Sequence, residues 1–479
     1  MDKHFARTDM LPPQAPPITE RGAVKWLREN LFSTPFNIAL TLFGVAVLYY
    51  LIASSLPWWL NSVWTAGSLG ECRDIVTASA GEGATGACWA MIRPWWGAFI
   101  FGFYPPELWW RPISAFGLLF AALAPVLFSG QTRNLTNLLL VVAAFLIVTL
   151  YLTSAPVLAF VLVLALIAGF VAVAQVQPGK LIWFTLIYPA LCFWLLWGGS
   201  IWSPIVAMAG FGILYAVFRL ASPFIGFSPA AGAGFLVAVL WWLYLDVPVV
   251  DALQSMLPVS LQAINSDQFG GFLLAIVIGV TGISFSLPIG ILLALGRQSD
   301  MLIVKTLSVG FIEFVRGVPL ITLLFTASLL LQYFLPPGTN FDIILRVIIL
   351  VTFFAAAYLA EVIRGGLAAL PRGQYEAADA LGLDYWRAQR LIILPQALKI
   401  SIPAIVSTFI GLFKDTTLVS FVGLMDPLRG VTQIVRADIN WKGIYWEPYI
   451  FVGAIFFLIC FGMSRYSMYL EQKLKTDHR

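Results

Sequence analysis

Two histidines, His4 and His478, fall in the polar tails of this sequence, so no imidazole is available for general base catalysis within its apolar bulk. The nucleophile pattern G-x-S-x-G, the zinc pattern H-E-x-x-H and the phosphate cradle G-x-x-x-x-G-K-[ST] are all absent. Neither hydrolysis by those routes nor ATP binding is therefore written into the chain. What remains are ionisable residues set in long apolar stretches: Glu313 with Arg316, Glu361 with Arg364, and the run Lys414-Asp415-Thr416-Thr417. Residues three apart share a helix face and can pair. A lone charge at the centre of a bilayer costs about 2.5–3.5 kcal/mol, so such residues either mark a path or are compensated. Both readings stand for the two Glu/Arg pairs. Gly317-Val318-Pro319 follows Arg316 and breaks the helix, freeing carbonyls to line a cavity. The Lys414–Thr417 run offers an acceptor for an ammonium and donors for a carboxylate, as a zwitterionic amino acid requires. Pinning one subunit to another is the equal alternative.

These residues need a scaffold, and composition defines it. Of 479 residues 60% are apolar and 11% charged, with a net charge of +4, whereas soluble domains carry about 25% charged residues. This excludes an ordinary cytosolic protein, a disordered tail and a nucleic-acid reader. Crossing about 30 Å of hydrocarbon takes about 20 helical residues. That ruler predicts twelve spans, at 36–57, 113–129, 135–153, 156–174, 181–198, 203–219, 229–247, 270–296, 304–335, 343–365, 396–414 and 448–470. An even number returns both termini to one side. Arg133, Lys180, Arg219, Arg297 and Lys305 then lie inside with the termini, and the 248–269 loop, with Asp251 and Asp267 and no Lys or Arg, lies outside. The tail over 1–34 has no apolar core before a cleavage site, so it is expected to be retained and cytoplasmic, with an interfacial helix over 26–32. The outer loop over 58–112 holds Cys72 and Cys88, either bridged or free as thiols, and without histidines they form no metal signature. The pairs Trp58-Trp59, Trp95-Trp96, Trp109-Trp110 and Trp241-Trp242 sit near span ends and read as interfacial belt residues.

The longest polar interruption runs from 364 to 399. Within it Pro371-Arg372-Gly373-Gln374 opens a short helix over 375–381 that Gly382 terminates, and Asp384 caps the next helix, expected to run to Pro395. Glu376 complements the helix dipole, and Ala377, Ala378 and Ala380 let another protein approach the backbone closely. Glu376-Ala377-Ala378, three residues, Gly382, nine residues, then Ile392-x-Leu394-Pro395 resembles the EAA-x3-G-x9-I-x-LP signature of the membrane subunits of bacterial ABC importers, with all seven specified positions filled. The segments 311–320, 358–366, Gly373-Gln374-Tyr375, Leu394-Pro395-Gln396-Ala397 and Lys414-Asp415-Thr416-Thr417-Leu418 resemble the polar amino-acid permeases of the histidine/glutamate/glutamine group. The runs over 287–297 and 411–415, with the tail over 26–33, are most similar to the M-type permease of general L-amino-acid importers. The chain departs from that group at Val318, where Thr is usual, in having no Gln before Gln332, and at Thr417, where Ser is usual.

The resemblance implies an all-α integral membrane protein of the bacterial inner membrane, with both termini cytoplasmic. A type I importer core of five helices would occupy 270–479. Before it would come the tail over 1–34, a first transmembrane helix and periplasmic loop over 35–112, and additional helices with a periplasmic linker over 113–269. It implies a non-catalytic permease subunit that conducts amino acids. The loop residues Tyr375, Glu376, Ala377, Ala378, Gly382, Ile392, Leu394 and Pro395 would couple it to an ATPase. Glu313, Arg316, Lys414, Asp415, Thr416 and Thr417 would line the path or a subunit interface. Implied partners are a second homologous permease, two ATPase subunits that bring the ATP and Mg this chain does not bind, a periplasmic amino-acid-binding protein and membrane lipid. The rival is an ion-coupled secondary transporter, which calls for broken helices in both halves, whereas these motifs fill only the second.

Overall fold

The computed structural model describes residues 22–128, 130–334 and 342–474. The first 21 residues of the tail, and Lys475 and Arg479 at the other end, lie outside the described residues. Among those described, eleven helices are long and apolar enough to cross a membrane, and each falls on one of the expected spans. The twelfth expected span, 304–335, is instead a pair of helices bent by 103°. Val318-Pro319 stands at the break: proline supplies no amide hydrogen and restricts the residue before it to extended backbone.

The described chain divides into two compact units. The first runs to Arg93 and takes in Ile439–Glu447. It contains α1 (Gly22–Asn30), the expected interfacial helix with a Lys25–Glu29 pair at 3.7 Å, and α2 (Pro35–Leu60), which Thr34 caps through the Asn37 amide. Beyond them α3 (Leu69–Ala80) is capped by Ser68. Cys72 on α3 is bonded to Cys88, with Cα atoms 6.1 Å apart. The Cys88 amide donates to Glu447 Oε1 at 2.7 Å, which satisfies a buried carboxylate. One bridge, one bonded carboxylate and a cluster of Trp58, Trp59, Trp64 and Trp89 rings hold this unit together. Closing a loop of this size stabilises by about 3 kcal/mol.

The second unit, Pro94–Asp438 with Pro448–Arg479, carries the bundle. After α4 (Ile92–Phe101) come α5 (Trp110–Leu127), α6 (Thr132–Leu152), α7 (Val157–Val176), α8 (Ile182–Trp197), α9 (Trp202–Ile225), α10 (Phe227–Leu240) and α11 (Asp246–Met256). A π-turn over Trp241–Leu245 joins α10 to α11, so this span continues past the expected end at 247. The indole N–H groups of Trp241 and Trp242 donate to the carbonyls of Val206 and Ala207 at 3.1 and 2.9 Å, clamping the hairpin to α9. The C-terminal part comprises α12 (Gly271–Gln298), α13 (Leu302–Gly317), α14 (Leu320–Phe334), α15 (Ile343–Ala368), α16 (Gly373–Ala380), α17 (Tyr385–Ala388), α18 (Leu394–Asp415), α19 (Pro427–Ala437) and α20 (Trp446–Leu474).

One apolar core joins the added helices to this part: Leu118, Leu139 and Leu146 of α5 and α6 belong to the same buried cluster as Leu274, Ile278, Val347 and Val351 of α12 and α15. Where they meet, Gly102 has a left-handed φ of 68° and pairs with Phe269. A Cβ there would collide with the Gly270 backbone. The Tyr104 hydroxyl donates to the Leu196 carbonyl at 2.8 Å, and Phe269 stacks on Trp197 at 4.5 Å.

The bridge is directly testable. In the unfolded chain without reductant, a maleimide should label Cys192 and Cys460, which are free, and leave Cys72 and Cys88 untouched until reduction. Labelling of all four beforehand would disprove the disulfide.

Candidate functional site

Tyr375 and the seven signature residues of the loop separate into two sets. Tyr375, Ile392 and Leu394 pack against a buried cluster that includes Leu359 and Ile363 of α15, and Ala378 is itself buried. Glu376, Ala377, Gly382 and Pro395 face outward. Burial pushes the Tyr375 hydroxyl above its usual pKa, leaving it neutral in its packed position. Gly382 adopts a φ of 68°, and its amide and that of Leu383 turn back to the carbonyls of Asp379 and Ala378 at 2.9 and 3.2 Å. This is the left-handed stop that a side chain would strain. Asp384 then accepts from the Arg387 amide at 3.0 Å and starts α17.

The following helix does not end at Pro395, as the proline would suggest. It runs unbroken from Tyr385 to Val422, because a π-turn over Gln389–Ile393 lies just ahead of Pro395 and alters the turn with which its ring would clash. A 3₁₀ extension, Thr416–Val422, continues from α18. Four residues absent from the signature shape the exposed side of this loop. Gln396 donates to Gln374 Oε1 at 2.9 Å, fastening α18 to the start of α16, while Leu381 and Trp386 remain 72% and 58% exposed. Large apolar side chains held out in a polar loop mark a protein contact, and that was the available sequence signal.

The ionisable pairs are arranged differently from their spacing. Glu361 and Arg364 do pair, at 3.0 Å, but Glu313 turns from Arg316 to Arg297 on α12, also at 3.0 Å. Arg297 and Arg316 both reach Glu361, at 2.5 and 3.8 Å, and Arg316 lies over the Tyr358 ring. Three cations thus share two carboxylates across α12, α13 and α15. Glu361 is the hub, with 16% of its side chain exposed against 55% for Glu313. Arg297 is a participant that sequence spacing missed, lying 16 residues from Glu313 and 64 from Glu361.

The Lys414–Thr417 run is also divided. Thr416 is fully buried and donates to the Phe413 carbonyl at 2.7 Å, and Thr417 donates to the Lys414 carbonyl at 2.9 Å. Both hydroxyl protons are therefore committed to their own helix, and Thr416 cannot face a solute. Lys414 is exposed and Asp415 half-buried, with no ion pair between them among the described residues. Arg429 secures the turn that follows by donating to the Ser420 carbonyl at 2.8 Å. Asp426, which caps α19 from a buried position, is pushed by desolvation up to about 6, against the amides of Leu428 and Arg429 and the Arg429 charge, which lower it. No metal-binding cluster of His, Cys, Asp and Glu occurs among the described residues.

Because Glu361 serves three arginines, Glu361→Gln should destabilise by about 1–3 kcal/mol, read as a lower unfolding temperature in detergent. Glu313→Gln, at an exposed position, should cost less. Equal effects would contradict the hub assignment.

Residues 286–476 match the family described as the binding-protein-dependent transport system inner membrane component. The chain is 61% identical to the glutamate/glutamine/aspartate/asparagine transport system permease protein BztC of Rhodobacter capsulatus, over 100% of both chains. It is 34% identical to the inner membrane amino-acid ABC transporter permease protein YhdY of Escherichia coli, over 97% of this chain and 96% of that one. A crystal structure of an amino acid ABC transporter with histidines is 30% identical over 42% of this chain and 90% of that one, with a TM-score of 0.37. Both full-length alignments run through the helices between 113 and 250, so those helices are shared with these two relatives. The chain belongs to the amino-acid permeases of binding-protein-dependent ABC transport systems, non-catalytic multi-pass subunits of the bacterial inner membrane.

Proposed function

We propose that this permease forms half of the translocation path of an importer for acidic amino acids and their amides, and that it is driven through α16 by a separate ATPase. The observation that carries this reading is the division of the loop. Tyr375, Ala378, Ile392 and Leu394 root it in the bundle, while Glu376, Ala377, Leu381 and Trp386 are held outward without a covering element. A helix gripped on one face and bare on the other transmits force from whatever docks there. Closure of the ATPase pair would push α16, and the unbroken helix from Tyr385 to Val422 would carry the displacement to Lys414 and Asp415. ATP and Mg belong to the ATPase. The substrate class follows the name of the 61% identical relative.

The assembly we infer has a second permease, two ATPase subunits and a periplasmic binding protein, with both termini of this chain cytoplasmic. Support for that orientation comes from the positive-inside pattern and from the Cys72–Cys88 disulfide, which an oxidising exterior favours. A second permease would cover Lys414, which has no ion pair with Asp415. Ion-coupled secondary transport is less well served, because both Glu313 and Glu361 are bound to arginines and are poor carriers of a coupling ion.

Purification from native membranes in mild detergent should bring down, in stoichiometric amounts, a P-loop ATPase and a second permease with the same loop signature. Recovery alone, with uptake abolished by an uncoupler at constant ATP, would favour the secondary transporter. Gly382→Asp should cut uptake at least tenfold with the chain still inserted, whereas Gly382→Asn, which tolerates the left-handed turn, should retain more. Normal uptake in the aspartate variant would refute the coupling role.

A further inference from the structure

The second unit contains a partly open cavity of about 1190 Å³ lined mainly by α5, α8, α12, α15 and α20. Its lining comes from most of α5 and α8, the first two-thirds of α12, the first half of α15 and the middle of α20, with Ile100, Phe101 and Phe145 of α4 and α6. On α15 the lining stops at Phe353, short of the end of that helix from which α16 follows. We propose that it holds the acyl chains of a bilayer phospholipid, entering sideways between helices and wedged where the added helices meet the permease core.

The chemistry of the wall supports an apolar occupant. Three of its hydroxyls are already engaged: Tyr188 donates to the Ala115 carbonyl at 2.7 Å, Thr185 to Ala122 at 2.6 Å and Ser284 to Val280 at 2.7 Å. Thr352 Oγ1 has no partner, but a water needs two to four. Asp342 is the one ionisable carboxylate on the lining, at its rim, and its side chain caps α15 through the Leu345 amide. A zwitterionic solute would therefore lose its hydration and find no cation for its carboxylate, which rules out the transported amino acid. An apolar cavity of about 150 Å³ stays dry and accepts benzene; this one is about eight times larger, so two chains fit more naturally than one ring. Access is lateral, since Phe285, Phe353 and Leu458 line the space while remaining 54%, 41% and 66% exposed. At membrane depth the medium facing them is lipid.

Native mass spectrometry of the detergent-purified transporter, with the released lipid extracted and identified, provides the test. The wild type should retain about one phospholipid per copy of this chain through repeated detergent washing. Val280→Trp, which projects an indole into the space, should reduce retention at least threefold, and Val280→Phe should do so in part if the larger residue prevents insertion. Leu162→Trp, on the exposed side of α7 and absent from the lining, should retain lipid as the wild type does. Equal retention in the wild type and both Val280 variants, or a wild-type chain carrying detergent alone, would overturn the proposal.

Discussion

Hydrocarbon supplies neither hydrogen bonds nor counter-ions, and the second unit is built around that lack. Three irregularities in its long helices are accommodated locally. The bend between α13 and α14 falls at a proline whose missing amide needs no partner. The π-turn before Pro395 lets one helix continue where a regular turn would clash. The threonine hydroxyls at the end of α18 donate to carbonyls one turn back. Charges obey the same requirement: Glu361 is tolerable in a packed position because Arg297, Arg316 and Arg364 converge on it from three helices. That convergence ties α12, α13 and α15 together at the end of the bundle from which α16 emerges.

The loop between α15 and α18 answers a different demand, because it must be both attached and available. Aromatic and branched residues supply the attachment: Tyr375, Ile392 and Leu394 extend the buried cluster around Leu359 out of the bundle. The exposed side carries the small and polar Ala377 and Glu376 beside the large apolar Leu381 and Trp386, and a glycine whose left-handed backbone ends the helix. Packing on one side therefore creates the free surface on the other.

The helices between 113 and 250 are not an independent appendage. α5 carries alanines at Ala115, Ala121, Ala122 and Ala124, all buried, and small residues permit the close backbone approach on which helix association in lipid depends. The match to the transport family begins only at residue 286, yet the core it shares with α5 and α6 is continuous. The large cavity lies at this junction, where the first parts of α12 and α15 meet α5 and α8 around a space that side chains do not fill.

Sequence by itself determined the solvent, the spans and the family signature of one loop, because each rests on short-range regularities: about 20 apolar residues per crossing and seven specified residues in that loop. It left the bridging of Cys72 and Cys88 open, since a pair of thiols in an outer loop has no signature of pairing. Tertiary structure alone decided who pairs with whom. Glu313 lies three residues from Arg316 but binds Arg297 on another helix, because the free energy of a charge in a low-dielectric interior depends on every neighbour in space, not on spacing along one helix. The same holds for Thr416, whose hydroxyl could have met a solute until packing turned it inward. It holds as well for the loop signature, where only the fold separates the residues that anchor from those left exposed.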